Sequence, residues 1–212
     1  MMTPKQLSYE NAAKTILKNM EKRNFTGSYA PTAAEALEQV KALLKPGMKV
    51  SNGGSETLGG LNFADVVREA GCEYLDRSAD PTPEGKKAMY ARIVGCDLFF
   101  MSTNALTMEG ELVNVDGAGN RVACLAYGPE KVVIVAGMNK VTKDLPSALN
   151  RVKVDAAPPN CIRLGLKTPC SVTGVCSDCH SPDCICCNTV VTRHNRVPGR
   201  IHVILVGEEL GY

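Results

Sequence analysis

Apolar positions recur at helical spacing over residues 5–24, where Leu7, Ala12, Ala13, Ile16, Leu17 and Met20 alternate with Lys and Glu. FTGSYA (25–30) is short and reads as a strand. Thr32 stands at the cap of a second helix, AAEALEQVKALL, with Glu35 at capping-box spacing and Pro46-Gly47 beyond its end. MKVSN (48–52) is then a strand running into Gly53-Gly54. LNFADVVREAG reads as a helix, CEYLD as a strand, and 83–95 as a helix with proline in its first turn. DLFFMS (97–102), ELVNVDG (111–117) and KVVIVAG (131–137) are apolar strands, and Asp144 is placed to cap a helix over 144–155. Continuous apolar runs such as VVIVA predict strands covered on both faces. Their alternation with helices predicts an α/β fold, a central parallel-rich sheet with helices on both faces. NTVVTR and RIHVILVGEELG read as a closing strand pair with a turn at Val197-Pro198-Gly199, the last strand returning to the sheet edge.

Length changes this picture little: 212 residues suit one domain, 1–212, with a cysteine-rich insertion over 158–190. Charge narrows it more. A net charge of +2 predicts no general affinity for nucleic acid or membranes. The absence of Trp and an aromatic content of 5% leave few stacking platforms for single strands. The first residues show no apolar core of a signal peptide, and no apolar run approaches the ~20 residues of a membrane span. The expected location is cytoplasmic.

Four polar segments follow predicted strands, and in a parallel sheet such ends share one edge, where ligands bind. Asn52, Gly53, Gly54, Ser55, Glu56 and Thr57 offer hydroxyls and open backbone to a phosphate or carboxylate; an ordinary strand–helix turn is the equal alternative. Asn104 and Thr107 follow the second strand end. Glu109 is a candidate catalytic base or nucleophile, although Glu109-Gly110 equally makes a hairpin turn. Asp116, Asn120 and Arg121 surround a glycine pair suited to anions, or Arg121 instead pairs with Asp116 or Glu56. The dinucleotide fingerprint is missing there, because the third glycine is absent. Asn139 and Lys140 make the fourth end.

Six of the ten cysteines lie in PCSVTGVCSDCHSPDCICC, among loop formers. In a reducing compartment such crowding favours metal ligation over disulfides. Cys176-x-x-Cys179 has knuckle spacing, with Cys170, Cys184, Cys186 and Cys187 around it. An iron–sulfur cluster takes four thiolates; the alternatives are zinc, with four thiolates or three plus His180, and thiol redox chemistry. Cys72, Cys96, Cys124 and Cys161 are isolated, and Cys96 and Cys124, in helix- or strand-like settings, read as buried small hydrophobes.

SNGGSETLGG, STNALTMEGELVNVDGAGNRVA, GPEKVVIVAGMNKV, RVKVDAAPPN and PC-x5-C-x2-C together resemble the lactate-utilisation (LUD) domain family, in its branch with a cysteine-rich C-terminal segment. The resemblance spans about residues 5–210. It implies a fold like that of ribose-5-phosphate isomerases and CoA transferases, and a part in an iron–sulfur-containing system oxidising lactate to pyruvate. It implies a 4Fe–4S cluster on Cys170, Cys176, Cys179 and Cys186, with Cys184 and Cys187 as additional thiols. Zinc remains the alternative cofactor. The implied partners are a small organic acid or phosphorylated metabolite, an iron–sulfur or flavin subunit, and a second copy in a homo-oligomer. Two other functions stay open: a transferase or isomerase of acyl-CoA or sugar phosphates with a structural zinc loop, and a non-catalytic assembly subunit.

Overall fold

The computed structural model describes residues 2–212. Helices α1 (Pro4–Glu21), α2 (Ala33–Leu43), α3 (Glu56–Gly59), α4 (Phe63–Glu69), α5 (Pro83–Val94) and α6 (Asn120–Ala126) alternate with strands. The strands are β1 (Thr26–Ala30), β2 (Lys49–Asn52), β3 (Glu73–Tyr74), β4 (Leu98–Met101), β5 (Ala105–Thr107), β6 (Leu112–Asp116) and β7 (Lys131–Gly137). Then come β8 (Val141–Thr142), α7 (Leu145–Arg151), α8 (Ala157–Arg163), α9 (Pro169–Thr173), β9 (Asn188–Thr192) and β10 (Ile201–Val206). The caps work as their side chains dictate: Thr32 accepts from Glu35 N and Asp144 from Ser147 N.

A six-stranded parallel sheet has the order β1-β10-β7-β4-β2-β3. Its strands divide their side chains between two cores. Phe99, Met101, Val132, Ile134 and Val203 pack with Ile16 and Met20 of α1 and Ile93 of α5 on one face. Leu98, Phe100, Val133, Val135 and Ile204 pack with Val40 of α2 and Val67 of α4 on the other. The alternation follows from the two-residue period of a strand, and the near-continuous apolar sequence follows from burial on both faces.

A second sheet, β8-β5-β6-β9, is where the structure departs from the sequence expectation. The two closing strands do not pair with each other. β9 runs antiparallel to β6, with Val190 opposite Asn114, while β10 lies inside the main sheet between β1 and β7. The reason is burial. β10 is apolar on both faces and belongs in an interior, whereas NTVVT leaves β9 half exposed at a sheet edge. The helix expected over 144–155 also continues further. A π-helical stretch, Val152–Ala156, joins α7 to α8. Pro158 and Pro159 fall in the first turn of α8, where a missing N–H removes no intrahelical bond.

Candidate functional site

The carboxyl ends of β2, β4 and β7 lie at one edge of the main sheet, and β6 delivers its end to the same place from the second sheet. They form one wall of a cavity of about 300 Å3, with Gly54, Ser55 and Glu56, then Ser102, Thr103 and Asn104, then Asp116, Asn120, Arg121 and Lys140. The opposite wall is Val152, Ala156 and Ala157, Asn160 and Arg163 of α8, and Ile185 with Cys186. Arg77 and Tyr212 stand at the cavity too.

Lys140 is buried, 3% exposed. Its Nζ donates to Thr57 Oγ1 at 3.2 Å and to Ser102 Oγ at 3.0 Å. Burial chiefly, with the Arg151 and Arg121 guanidinium groups behind it, lowers the Lys140 pKa to about 7. Arg121 is different, because the protein already uses all its N–H groups. Nε donates to Asp116 at 3.2 Å, one terminal nitrogen to Ser102 O and Asn114 Oδ1, and the other to Asn104 Oδ1 and Val115 O. Gly53 exists for this arrangement, since a Cβ there would sit 2.9 Å from the Arg121 stem. Arg151 donates to Asn139 O and Asn104 O, bracing the second and fourth strand ends. Among the charged groups lining the cavity, Arg121 pairs with Asp116 and Arg163 with Glu56. Lys140 and Arg77 are left, among the described residues, without a carboxylate. The cavity is therefore short of an anion.

Of the residues expected to bind ligand, Gly54, Ser55, Glu56, Asn104, Asp116, Asn120, Arg121 and Lys140 line this cavity. Asn52 instead accepts from the Tyr74 hydroxyl at 2.5 Å. Thr57 lies behind the wall, taking the Lys140 bond and donating to Leu210 O. Asn139 holds the C-terminal segment through Gly211 O and Leu210 N. Thr107 accepts from Glu111 N and closes the β5–β6 hairpin. Glu109, the candidate base, occupies that turn next to Gly110 at φ +83°, and its carbonyl accepts from Arg23 Nε. It borders a separate shallow depression with Lys22, Arg193 and His194 and takes no part in the cavity. Its hairpin position follows from the antiparallel pairing that β5 makes with β6. Arg151, Arg77, Asn160 and Tyr212 carried no sequence signal as site residues; only the path of the chain brings them here.

The cysteines reach this site as well. All are free thiols. Cys170, in α9, meets the Thr168 hydroxyl at 3.2 Å. Cys161, which looks isolated in sequence, is buried in α8 with its thiol beside Cys170 and Cys184. Burial first, then Cys184, Cys161, Cys176 and Cys170 around it, pushes the Cys186 thiol up to about 12. Cys179 lies against Cys184, and Cys187 is exposed, pointing its Sγ at Cys184 O. His180 is exposed. In donor chemistry alone, a set of thiols is what an iron–sulfur cluster or zinc takes. Among the described residues no three His, Cys, Asp or Glu side chains close around a single ion, so the thiols are gathered rather than locked. Cys96 and Cys124 lie apart in the core, where burial pushes them up to about 12 and about 11. Among the described residues no helix is long and apolar enough to cross a membrane.

Comparison with known proteins adds the following. The family model described as the LUD domain matches residues 13–206. No curated protein matches the chain. A crystal structure of a DUF162 family protein from Deinococcus radiodurans is similar over 93% of this chain and 98% of its own, at 12% identity and a TM-score of 0.54. Ribose 5-phosphate isomerase from Plasmodium falciparum is similar over 52% of each chain, at 14% identity and a TM-score of 0.34. Ribose 5 phosphate isomerase A from Neisseria gonorrhoeae covers 54% of this chain and 56% of its own, with the same identity and TM-score, 14% and 0.34.

Proposed function

The chain belongs to the LUD domain family, and from that premise we propose that this lactate-utilisation-type protein binds a small 2-hydroxy or 2-oxo acid, lactate or pyruvate, in its strand-end cavity. We place it in an iron–sulfur-containing system that oxidises lactate to pyruvate. The observation that carries the binding reading is Lys140: a buried amine that lines the cavity and has no carboxylate partner among the described residues, while Arg121 and Arg163 in the same lining already have theirs. A carboxylate entering there supplies the missing anion. About 300 Å3 is at the small end of ligand pockets, which suits a metabolite-sized acid.

Each group in the wall then has a task. Lys140 holds the carboxylate and takes up a proton at Nζ as the anion arrives. Thr57 and Ser102 fix the direction of that amine. Arg121 keeps Asn104, Asp116 and the Ser102 carbonyl in register without spending an N–H on the ligand. Cys170, Cys176, Cys179 and Cys186 would hold the cluster. When bound, it would carry electrons between the cavity and a partner subunit.

Melting the protein with candidate ligands tests this reading. Lactate or pyruvate should raise the melting temperature, by an amount that grows with concentration. A rise with an acyl-CoA or sugar phosphate alone would replace the proposal with a transferase or isomerase. Anaerobic purification tests the cofactor: brown protein with about four irons per chain is expected, and colourless protein with one zinc would overturn that part.

A further inference from the structure

The thiols and the cavity share their walls. Helix α8 turns Asn160 and Arg163 toward the cavity, while Cys161, between them in sequence, lies with Cys170 and Cys184. Residues 185–186 repeat the arrangement in the loop: Ile185 and Cys186 line the cavity, and Cys186 N donates to Cys184 Sγ at 3.4 Å. The seam with the strand-end wall is tight. A Cβ on Gly117 would lie 3.3 Å from Ile185 Cα. Asn188 Nδ2 donates to the carbonyls of Asp116 and Gly117, which belong to the segment that presents Asp116 and Asn120. Elsewhere few contacts brace the loop: Asp183 accepts from Lys167 N, Ser181 donates to Lys167 O, and Asp178 pairs with Lys153 on the surface.

We infer that metal binding at the thiols sets the shape of the small-acid cavity, with Cys186 as the residue common to both sites. Pulling Cys186 onto a metal with Cys170, Cys176 and Cys179 fixes Ile185 against Gly117, and Cys170, whose thiol meets Cys161, braces α8. Without the metal, one wall of the cavity is a loop braced by those few bonds. The coupling is reciprocal, because any ligand that prefers the closed wall also favours metal retention by the same factor. This inference rests on the proposed small-acid site and thiol-held metal, and adds that the two are energetically one unit.

The test is pyruvate titration of the full chain, purified and loaded with iron anaerobically, and again after chelation. Loaded protein should bind pyruvate at least tenfold more tightly than stripped protein, and pyruvate should change the visible or paramagnetic spectrum of the loaded form. Gly117→Ala guards against unfolding of the stripped protein: it presses on Ile185 at the seam and should weaken both pyruvate binding and metal retention. Cys187→Ala, on the exposed side, should change neither. Equal pyruvate affinity with and without metal, and a spectrum that pyruvate leaves unmoved, would overturn the coupling and leave both sites standing separately. Loaded protein that binds no pyruvate would instead sink the small-acid site itself, and with it the coupling. A chain that retains no metal yet binds pyruvate would remove the coupling together with the cluster.

Discussion

The two walls of the cavity satisfy their polar atoms in opposite ways. At the strand ends, Arg121 makes five hydrogen bonds to side chains and carbonyls of two neighbouring segments, 102–104 and 114–116, and Lys140 is held by two hydroxyls. That wall is largely bonded before any ligand arrives; what it leaves open is the Lys140 amine, which has no carboxylate among the described residues, and the buried Asn114 Nδ2. Across the cavity stands Cys186, and the other thiols of α8, α9 and the following loop lie near it with few bonds of their own, Cys170 to the Thr168 hydroxyl and Cys187 to Cys184 O. A wall fixed by backbone and guanidinium bonds faces one that is completed by what binds to it. The difference separates residues that build the site from residues that wait for a ligand.

The sharpest way to break this distinction is to exchange the two buried cations. Arg121→Met leaves Asp116 and Asn114 without their partner and should cost about 3–5 kcal/mol of stability, read by denaturant unfolding. Lys140→Met removes a buried charge that has no counter-ion. It should leave the melting temperature at pH 7 unchanged or higher, while weakening pyruvate binding about 10–100-fold, the worth of a charged hydrogen bond. If both substitutions destabilised alike, Lys140 would be a structural group and the contrast would fail.

Stability against pH gives a smaller effect with a defined sign. Lys140 titrates at about 7 in the fold and near its ordinary value of 10.5 when unfolded. Between these values the unfolded chain holds more protons, so this group's contribution to stability rises with pH, by up to about 1.4 kcal/mol per unit. Below pH 7 both states are protonated and the contribution is flat. Urea unfolding from pH 7 to 9 should show the rise in the wild type and lose it in Lys140→Met. Smallest of all, Cys187→Ala should change stability by no more than about 0.5 kcal/mol, as a surface substitution does.

Much of the main sheet was legible in the chain because its residues obey one local rule. VVIVA and FF can be buried on both faces only in a covered parallel strand, and Thr32 and Asp144 announce their helices through their own hydroxyl and carboxylate. In the second sheet β6 and β9 were legible as strands, but its pairing and its two shortest strands were not, for the opposite reason. β5 and β8 are three and two residues long, too short for a period to register, and β9 finds β6 only through long-range pairing. The polar strand ends pointed to a cavity, and the structure brings eight of those thirteen residues to it. The sequence could not say that Arg121 is consumed by its neighbours while Lys140 is not, because that depends on bonds from three other segments. Cys161 was missed because its thiol neighbours lie beyond a turn, across from α8.

Calorimetric titration of pyruvate at pH 7.5, in two buffers of different ionisation enthalpy, tests the central claim most directly. Pyruvate stays ionised there, so any proton exchanged belongs to the protein. The account predicts that binding takes up protons, that affinity falls toward tenfold per pH unit as pH rises above about 7, and that Lys140→Met abolishes both effects. Binding with no proton uptake, equally tight in Lys140→Met, would contradict it.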